Sequence, residues 1–246
     1  VLDAPWIVRF FLVNFLILPK RPKESAEAYR QVWLPEGSPL VVTSKNVHSQ
    51  LQERLNVPVE LAMRYQNPSI EQAVDHLLND NVDEIFLIPL FPHYAMSSYE
   101  TAVEKTKTVL NHRAPKVNLA VQPPFFDHPD YIRALVASAR KTLDQDYDHL
   151  LFSFHGLPER HLRKSDPSGC HCLATSDCCV GSHPSHNTCY RAQCFKTVNA
   201  FLQAANIPLE KHSVSFQSRL GRDPWLQPVS YTHLRAHETL PISYDV

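Results

Sequence analysis

The sequence has almost no net charge and no apolar run of the length that spans a bilayer. Lys and Arg total 24 against 25 Asp and Glu, a formal net charge of −1, so the chain has no overall field that attracts nucleic acid or another polyanion. The apolar stretch 7–18 contains Arg9 and Asn14 and is shorter than the roughly 20 residues that a spanning helix needs. We interpret this stretch as a buried helix, with a lipid-touching surface helix as the alternative.

The sequence also lacks an export signal at its first residues. Residues 1–6 have no basic segment and no small-residue cleavage site, so we predict a cytoplasmic location, with membrane association through the apolar stretch as the alternative. The 246 residues, 43% of them hydrophobic, suffice for one large or two small domains with a real core.

Short apolar runs alternate with amphipathic stretches through most of the chain. This alternation predicts an α/β fold with parallel sheets covered by helices on both faces. Prolines near residues 115–124 suggest a division into two similar halves near residue 114. The predicted strands are residues 39–43, 57–62, 85–91, 117–121, 149–154 and 213–216. The predicted helices are residues 44–55, 69–81 with a capping box at Ser69, 97–111, 128–145 and 190–206.

Polar side chains follow four of the predicted strands. His155 is the clearest case, because a buried run ends at it and Gly156-Leu157-Pro158 stops the strand. The carboxyl ends of parallel strands gather ligand contacts, so this position suits proton or metal chemistry. A core histidine bonded to a backbone carbonyl is the alternative. The other strand ends carry Arg64-Tyr65, His93-Tyr94 and Gln217-Ser218.

Aromatic residues accompany these strand ends. Tyr65, Phe91, Tyr94 and Trp225 offer flat faces beside a few polar groups, which suits a large, planar, mostly apolar ligand. Each of these rings could equally serve as part of the core.

All six cysteines fall within residues 170–194, and the rest of the chain has none. Without an export signal, clustered thiols indicate metal or cluster ligands rather than disulfides. Zinc fits Cys with His171, His183 and His186, although the paired Cys-x2-Cys spacing is missing. Four thiolates would hold an iron-sulfur cluster equally well.

Six motifs follow one another along the chain: Gly37-Ser38-Pro39-Leu40, Met63-Arg64-Tyr65, Pro89 to Tyr94, Ser153-Phe154-His155-Gly156-Leu157-Pro158-Glu159-Arg160, Cys189-Tyr190-Arg191 with Gln193, and Phe216 to Leu226. Taken in this order, they resemble the ferrochelatase family over about residues 8–228. The resemblance implies an enzyme that inserts ferrous iron into a porphyrin, protoporphyrin IX or coproporphyrin III, in haem synthesis. It also implies two Rossmann-like halves, here residues 1–113 and an incomplete half 114–228 with a cysteine insertion at 165–189.

The resemblance carries roles onto individual residues. His155 matches the family's catalytic histidine, which takes pyrrole protons or ligates the iron. The implied porphyrin contacts are Ser38, Arg64, Tyr65, Tyr94, Ser218 and Trp225. Some bacterial members hold a [2Fe-2S] cluster on four cysteines of an internal insertion, and the matching residues are Cys172, Cys178, Cys179 and Cys189, with zinc as the alternative. The implied partners are porphyrin and ferrous iron, without nucleic acid, in a monomer or homodimer.

The resemblance ends at Pro228. The family has a glutamate facing the catalytic histidine, and no residue of this chain matches it; Glu238 is a poor candidate. We therefore expect residues 229–246 to be foreign to the family and the chain to be a fragment with impaired metal insertion. Two other functions stay open: a cobalt or sirohydrochlorin-type chelatase, and a non-catalytic iron-sulfur or zinc sensor.

Overall fold

A computed structural model of the chain describes residues 5–19, 21–219 and 223–230. The described residues form eight α-helices: α1 Trp6–Phe11, α2 Arg21–Arg30, α3 Pro39–Arg54, α4 Ile70–Asn79, α5 Thr101–Arg113, α6 Pro129–Leu143, α7 Glu159–Lys164 and α8 Tyr190–Ala205. They also form four strands: β1 Glu84–Leu87, β2 Asn118–Val121, β3 Leu150–His155 and β4 His212–Gln217. Two π-helical segments, Leu12–Ile17 and Met96–Glu100, continue α1 and precede α5.

The four described strands form two sheets of two strands each. β1 pairs with β2, and β3 pairs with β4 in parallel, in a register that places Leu150 opposite His212 and His155 opposite Gln217. Parallel strands need a crossover, and α7, the cysteine-rich loop and α8 supply it between β3 and β4. Two parallel strand ends, those of His155 and Gln217, therefore lie side by side.

The chain divides into two compact units, each described here by itself. The first comprises the described parts of residues 1–85 and 104–119, and the second those of residues 86–103 and 120–246. The domain boundaries predicted at residues 113 and 228 stay predictions.

The core of the first unit joins α4 to α5. Ile70 and Val74 from α4 pack with Ile85 and with Val109 and Leu110 from α5. The capping box predicted at Ser69 is confirmed: Ser69 Oγ accepts from the Gln72 N–H, and Gln72 Oε1 accepts from the Ser69 N–H. This cap satisfies two backbone donors at the start of α4, where the helix itself offers no partner.

The core of the second unit lies between the β3–β4 sheet and the helices α6 and α8. Phe201 of α8 packs edge-on against Phe152 of β3, with 5.3 Å between ring centroids, and side chains of α6 complete this layer. Because side chains alternate along a strand, Leu150, Phe152 and Phe154 share the face toward this layer. The remaining residues of β3, including His155, alternate with these and belong to the opposite face of the strand.

The predictions of β1 to β4 and of α4, α6 and α8 are confirmed to within a few residues. The strand predicted at residues 39–43 is wrong, since these residues begin α3. Ser38 is extended at the N-cap and Pro39 occupies the first turn, where a missing N–H costs nothing and the fixed φ favours the helix.

The strand predicted at residues 57–62 is also wrong, because none of these residues belongs to a strand. The side chain of Gln52 takes its hydrogen bonds instead: Nε2 donates to Val57 O at 3.0 Å and Oε1 accepts from the Val59 N–H at 2.8 Å. His48 Nε2 lies 2.7 Å from Val59 O. Side chains of α3 thus satisfy the backbone that a neighbouring strand would have paired.

The buried helix predicted at residues 7–18 is helical but not buried. Trp6, Phe11 and Phe15 are 69%, 58% and 68% exposed. Among the described residues, none of the helices has the length and apolarity needed to cross a bilayer.

Candidate active site and cysteine cluster

His155 is the last residue of β3 and its side chain is exposed. The prediction that this imidazole lies at a strand end is therefore confirmed, and the alternative of a core histidine is not. Its neighbour Phe154 is half-buried and belongs to the core. The sequence folds this way because the bulky residues of β3 fix the strand in the core, while Gly156 and Pro158 turn the chain away directly after His155.

The turn after His155 is held by a returning segment that follows β4. The Gly156 N–H donates to Gln217 O at 2.7 Å, and the Leu226 N–H donates to Leu157 O at 3.1 Å. Pro158 and Trp225 form an antiparallel bridge. A Cβ added at Gly156 would lie 2.8 Å from Gln217 O and 3.3 Å from a ring carbon of Trp225, so only glycine fits.

Ser218 and Trp225, two predicted porphyrin contacts, flank His155 in this arrangement. Ser218 directly follows Gln217, the register partner of His155, and its φ of 71° lies in the left-handed region. A non-glycine residue costs energy there, and such residues concentrate at functional sites. Trp225 is buried and packs beside Gly156. The structure therefore brings the backbone segments that carry His155, Ser218 and Trp225 next to one another.

Tyr94 lies near the same strand through its neighbour His93. The His93 ring packs edge-on against Phe154, with 5.5 Å between ring centroids, and is near parallel to Phe126 at 6.5 Å. Burial lowers the pKa of His93 to about 4, so this imidazole is neutral at pH 7. The Tyr94 ring contacts Tyr99 at 5.9 Å.

The remaining predicted porphyrin contacts belong to the first unit. Ser38 is the half-buried N-cap of α3. The Arg64 guanidinium carbon lies 4.6 Å from the ring centroid of Tyr65, and Tyr65 is 64% exposed. This cation–π pair presents a charge beside an exposed ring, which suits a planar anionic ligand. The roles predicted for all seven residues stay predictions.

The four cysteines predicted as cluster ligands are neighbours in space. Cys178 Sγ lies 3.9 Å from Cys179 Sγ, and Cys189 shares hydrogen bonds with Cys172 and Cys179. Cys172, Cys178 and Cys189 are buried and Cys179 is half-buried, and none of the six cysteines forms a disulfide. Cys170 is exposed and Cys194 is buried in α8.

A buried carboxylate, Asp166, organises the loop that carries these thiols. Oδ2 accepts from the backbone N–H groups of His171 and Cys172, each at 2.8 Å. Oδ1 accepts from Ser185 Oγ at 2.6 Å and from Ser168. Burial acts to raise the pKa of Asp166, but these hydrogen bonds outweigh it and lower the pKa overall.

The Cys189 thiol has a lowered pKa. Hydrogen bonding from Cys179, then from the Ala192 N–H and Cys172, lowers the pKa of Cys189 to about 6, although burial opposes this shift. Burial and the neighbouring Cys189 raise the pKa of Cys172, and the hydrogen bond to Cys189 with burial raises that of Cys179. Cysteine binds metal ions as the thiolate.

The three histidines considered for zinc are engaged with one another and with the loop backbone. His171 Nε2 and His186 Nε2 lie 2.8 and 2.9 Å from Cys178 O, and the rings of His171 and His183 stack at 3.5 Å. Within residues 5–19, 21–219 and 223–230, no group of three or more His, Cys, Asp or Glu side chains is placed to hold a single metal ion. His186 Nδ1 is buried without a hydrogen-bond partner in that part of the chain.

Sequence reasoning did not find the parts played by Asp166, Gln193 and Thr197. Gln193 and Thr197 are buried polar residues of α8 that bond to the segment of His93 and Tyr94. Their spacing of four residues places them on one helix face, which could have indicated that they bond to the same neighbouring segment. Polar residues at that spacing are common on exposed helix faces as well.

The fold is similar to a solved structure of SirB from Bacillus subtilis with Fe3+. The TM-score is 0.51 at 14% identity, and the match covers 79% of this chain and 64% of that chain. This similarity concerns the fold alone. The parallel β3–β4 pair, the flanking helices and this likeness define an α/β protein with parallel strands flanked by helices, as the sequence predicted.

A family model described as Ferrochelatase matches residues 1–241. Ferrochelatase of Pseudomonas fluorescens strain SBW25 is 48% identical over 238 residues, which is 96% of this chain and 70% of that protein. Ferrochelatase of strain Pf0-1 is 50% identical over 240 residues, 97% of this chain and 70% of that protein. The chain belongs to the ferrochelatase family, whose enzymes insert ferrous iron into a porphyrin in haem synthesis.

The family match runs beyond Pro228, where the motif resemblance ends. Val229 pairs with Phe216, and Ser230 Oγ lies 2.8 Å from both Ser153 Oγ and Ser215 Oγ. Glu238 and the rest of the predicted foreign tail, residues 231–246, lie outside the described residues.

Replacing Gly156 with Ala should destabilise the turn that presents His155. The added methyl group meets a backbone oxygen at 2.8 Å, so either the Gly156 to Gln217 hydrogen bond or the contact with Trp225 must give way. We expect a loss of about 1–3 kcal/mol in the free energy of unfolding, measured by urea denaturation. An unchanged unfolding midpoint would contradict this account of the turn.

Proposed function

We propose that His155 performs the proton or metal chemistry of iron insertion in this chain. The single observation that carries the proposal is the exposed imidazole at the end of β3, beside Ser218 and Trp225. Insertion of Fe2+ requires that the two pyrrole N–H protons leave the porphyrin. A neutral imidazole accepts a proton near pH 7 and is also a good ligand for ferrous iron.

We propose further that Ser38, Arg64, Tyr65, Tyr94, Ser218 and Trp225 contact the porphyrin. The exposed Tyr65 ring offers a flat apolar surface, and the adjacent Arg64 guanidinium offers a charge complementary to porphyrin carboxylates. Family membership favours this porphyrin chemistry over the cobalt-chelatase and sensor alternatives.

We propose that Cys172, Cys178, Cys179 and Cys189 hold a [2Fe-2S] cluster. Four thiols are close together, one has a pKa near 6, and the Arg191 guanidinium lies 3.9 Å from Cys178 Sγ, which favours a negatively charged thiolate set. The nearby imidazole nitrogens already contact the loop backbone, so the donor set favours four sulfur ligands over a mixed zinc site of Cys and His. A bound cluster would crosslink the loop through its four ligands.

The exposed apolar helix at residues 6–18 supports a peripheral contact with lipid, and the unpaired cysteines support a reducing, cytoplasmic location. A location at the cytoplasmic face of a membrane agrees with both the lipid contact and the reducing environment. The choice between monomer and homodimer stays a prediction.

Replacing His155 with Ala should lower iron insertion by roughly a hundredfold or more while porphyrin binding persists. His149, which is exposed directly before the same strand and whose Nε2 lies 3.0 Å from Ser213 Oγ, supplies the matched control His149→Ala. Insertion of Fe2+ is measured by loss of porphyrin fluorescence under anaerobic conditions. Equal rates in the two variants would refute the role of His155.

Replacing Cys189 with Ser should abolish the visible absorption of a [2Fe-2S] cluster and its protein-bound iron and sulfide. The control is Cys170→Ser, because Cys170 is exposed and belongs to the same loop. The measurements are anaerobic absorption spectra and analyses of iron, zinc and acid-labile sulfide. Protein-bound zinc, or neither metal in the unaltered protein, would contradict the cluster.

Replacing both Phe11 and Phe15 with Ser should weaken binding to anionic phospholipid vesicles by roughly fivefold, because these rings expose apolar area on one helical segment. Leu209→Ser, at a residue that is 68% exposed elsewhere on the chain, is the control. Cosedimentation measures vesicle binding, and cell fractionation tests the location. Equal binding by all three proteins would exclude this segment as the lipid contact.

A further inference from the structure

Gln193 is a fully buried amide in the second turn of α8, with no exposed surface. A buried amide must find partners for both its oxygen and its NH2 group, because an unpaired polar atom in the interior is costly. Gln193 has no part in the chemistry described above.

The partners of Gln193 come from two segments that are far apart in sequence. Oε1 accepts from the Tyr94 N–H at 2.6 Å. Nε2 donates to His186 O at 3.1 Å and to Asn187 O at 2.9 Å. One side chain therefore joins the backbone of a predicted porphyrin contact to the turn that leads into Cys189.

Thr197, one turn further along α8, holds the same segment a second time. Its hydroxyl donates to Phe126 O at 2.7 Å, and His93 Nε2 lies 2.8 Å from Thr197 Oγ1. Since the single hydroxyl proton points to a carbonyl, His93 Nε2–H is the donor to Thr197 Oγ1. The backbone around residues 93 and 94 is thus fixed to one face of α8.

We propose that Gln193 is a positioning residue that couples the cysteine-rich loop to the porphyrin edge at Tyr94. Because the same amide bonds to both segments, a shift of the 186–187 turn changes the support of the Tyr94 backbone, and porphyrin binding at Tyr94 changes the support of that turn. The proposal rests on the proposed function for the porphyrin contact of Tyr94.

The test compares Gln193→Met with Gln203→Met. Methionine is close to glutamine in shape but lacks the amide, and Gln203 is exposed on the same helix. We expect the Kd for protoporphyrin IX and for coproporphyrin III, measured by fluorescence titration, to rise roughly tenfold in Gln193→Met. The Kd of Gln203→Met should be that of the unaltered chain.

A double-mutant cycle with Tyr94→Ala shows whether Gln193 acts through Tyr94. Once the Tyr94 ring is gone, Gln193→Met should raise the porphyrin Kd little further. Hydrogen exchange gives a readout without porphyrin: in Gln193→Met, amides of residues 93–96 and 183–189 should exchange faster, while those of β3 and α6 should not.

Three results would each overturn the coupling: additive effects of Gln193→Met and Tyr94→Ala, an unchanged porphyrin Kd, or faster exchange throughout the second unit. The last result would show only general destabilisation. Failure of the unaltered chain to bind either porphyrin would contradict the proposed function instead. In that event, faster exchange confined to the two segments would still uphold the link through Gln193, and unchanged exchange would refute it.

Discussion

The candidate site depends on the closure of the turn after β3 by the segment that follows β4. The parallel register aligns His155 with Gln217, and the Gly156 N–H bonds to Gln217 O. The returning segment then adds its own bridge to Pro158. Because these are backbone hydrogen bonds within a packed core, they fix the direction of the strand end that carries His155.

A second polar constraint operates in the cysteine-rich loop. A loop of this length has few apolar residues to bury, so its backbone N–H groups need fixed acceptors. The carboxylate of Asp166 accepts from both ends of the loop, and its five donors hold it ionised. Cys172, Cys178, Cys179 and Cys189 can therefore be neighbours through a hydrogen-bonded loop, before any bound group crosslinks them.

Sequence patterns predicted elements well where apolar residues have a clear period and a cap. α4 begins at its capping box, and β3 ends at His155. The patterns failed at residues 39–43 and 57–62, where apolar β-branched residues suggested strands. A proline in the first turn of α3 favours a helix at the first segment, and the side chain of Gln52 bonds to the backbone of the second. The preference for a buried helix at residues 7–18 over an exposed surface helix was wrong as well, because periodicity does not state whether a partner covers an apolar face.

The sequence alone determined the family, the strand that ends at His155 and the group of thiols in one loop. These features are local, since they depend on residue types at short spacing. Only the tertiary structure decided that Gln193 joins Tyr94 to the turn before Cys189, that Ser218 has a left-handed backbone, and that Trp225 lies against Gly156. These contacts join residues distant in sequence, and their geometry follows from how helices and strands pack, which short-range patterns do not encode.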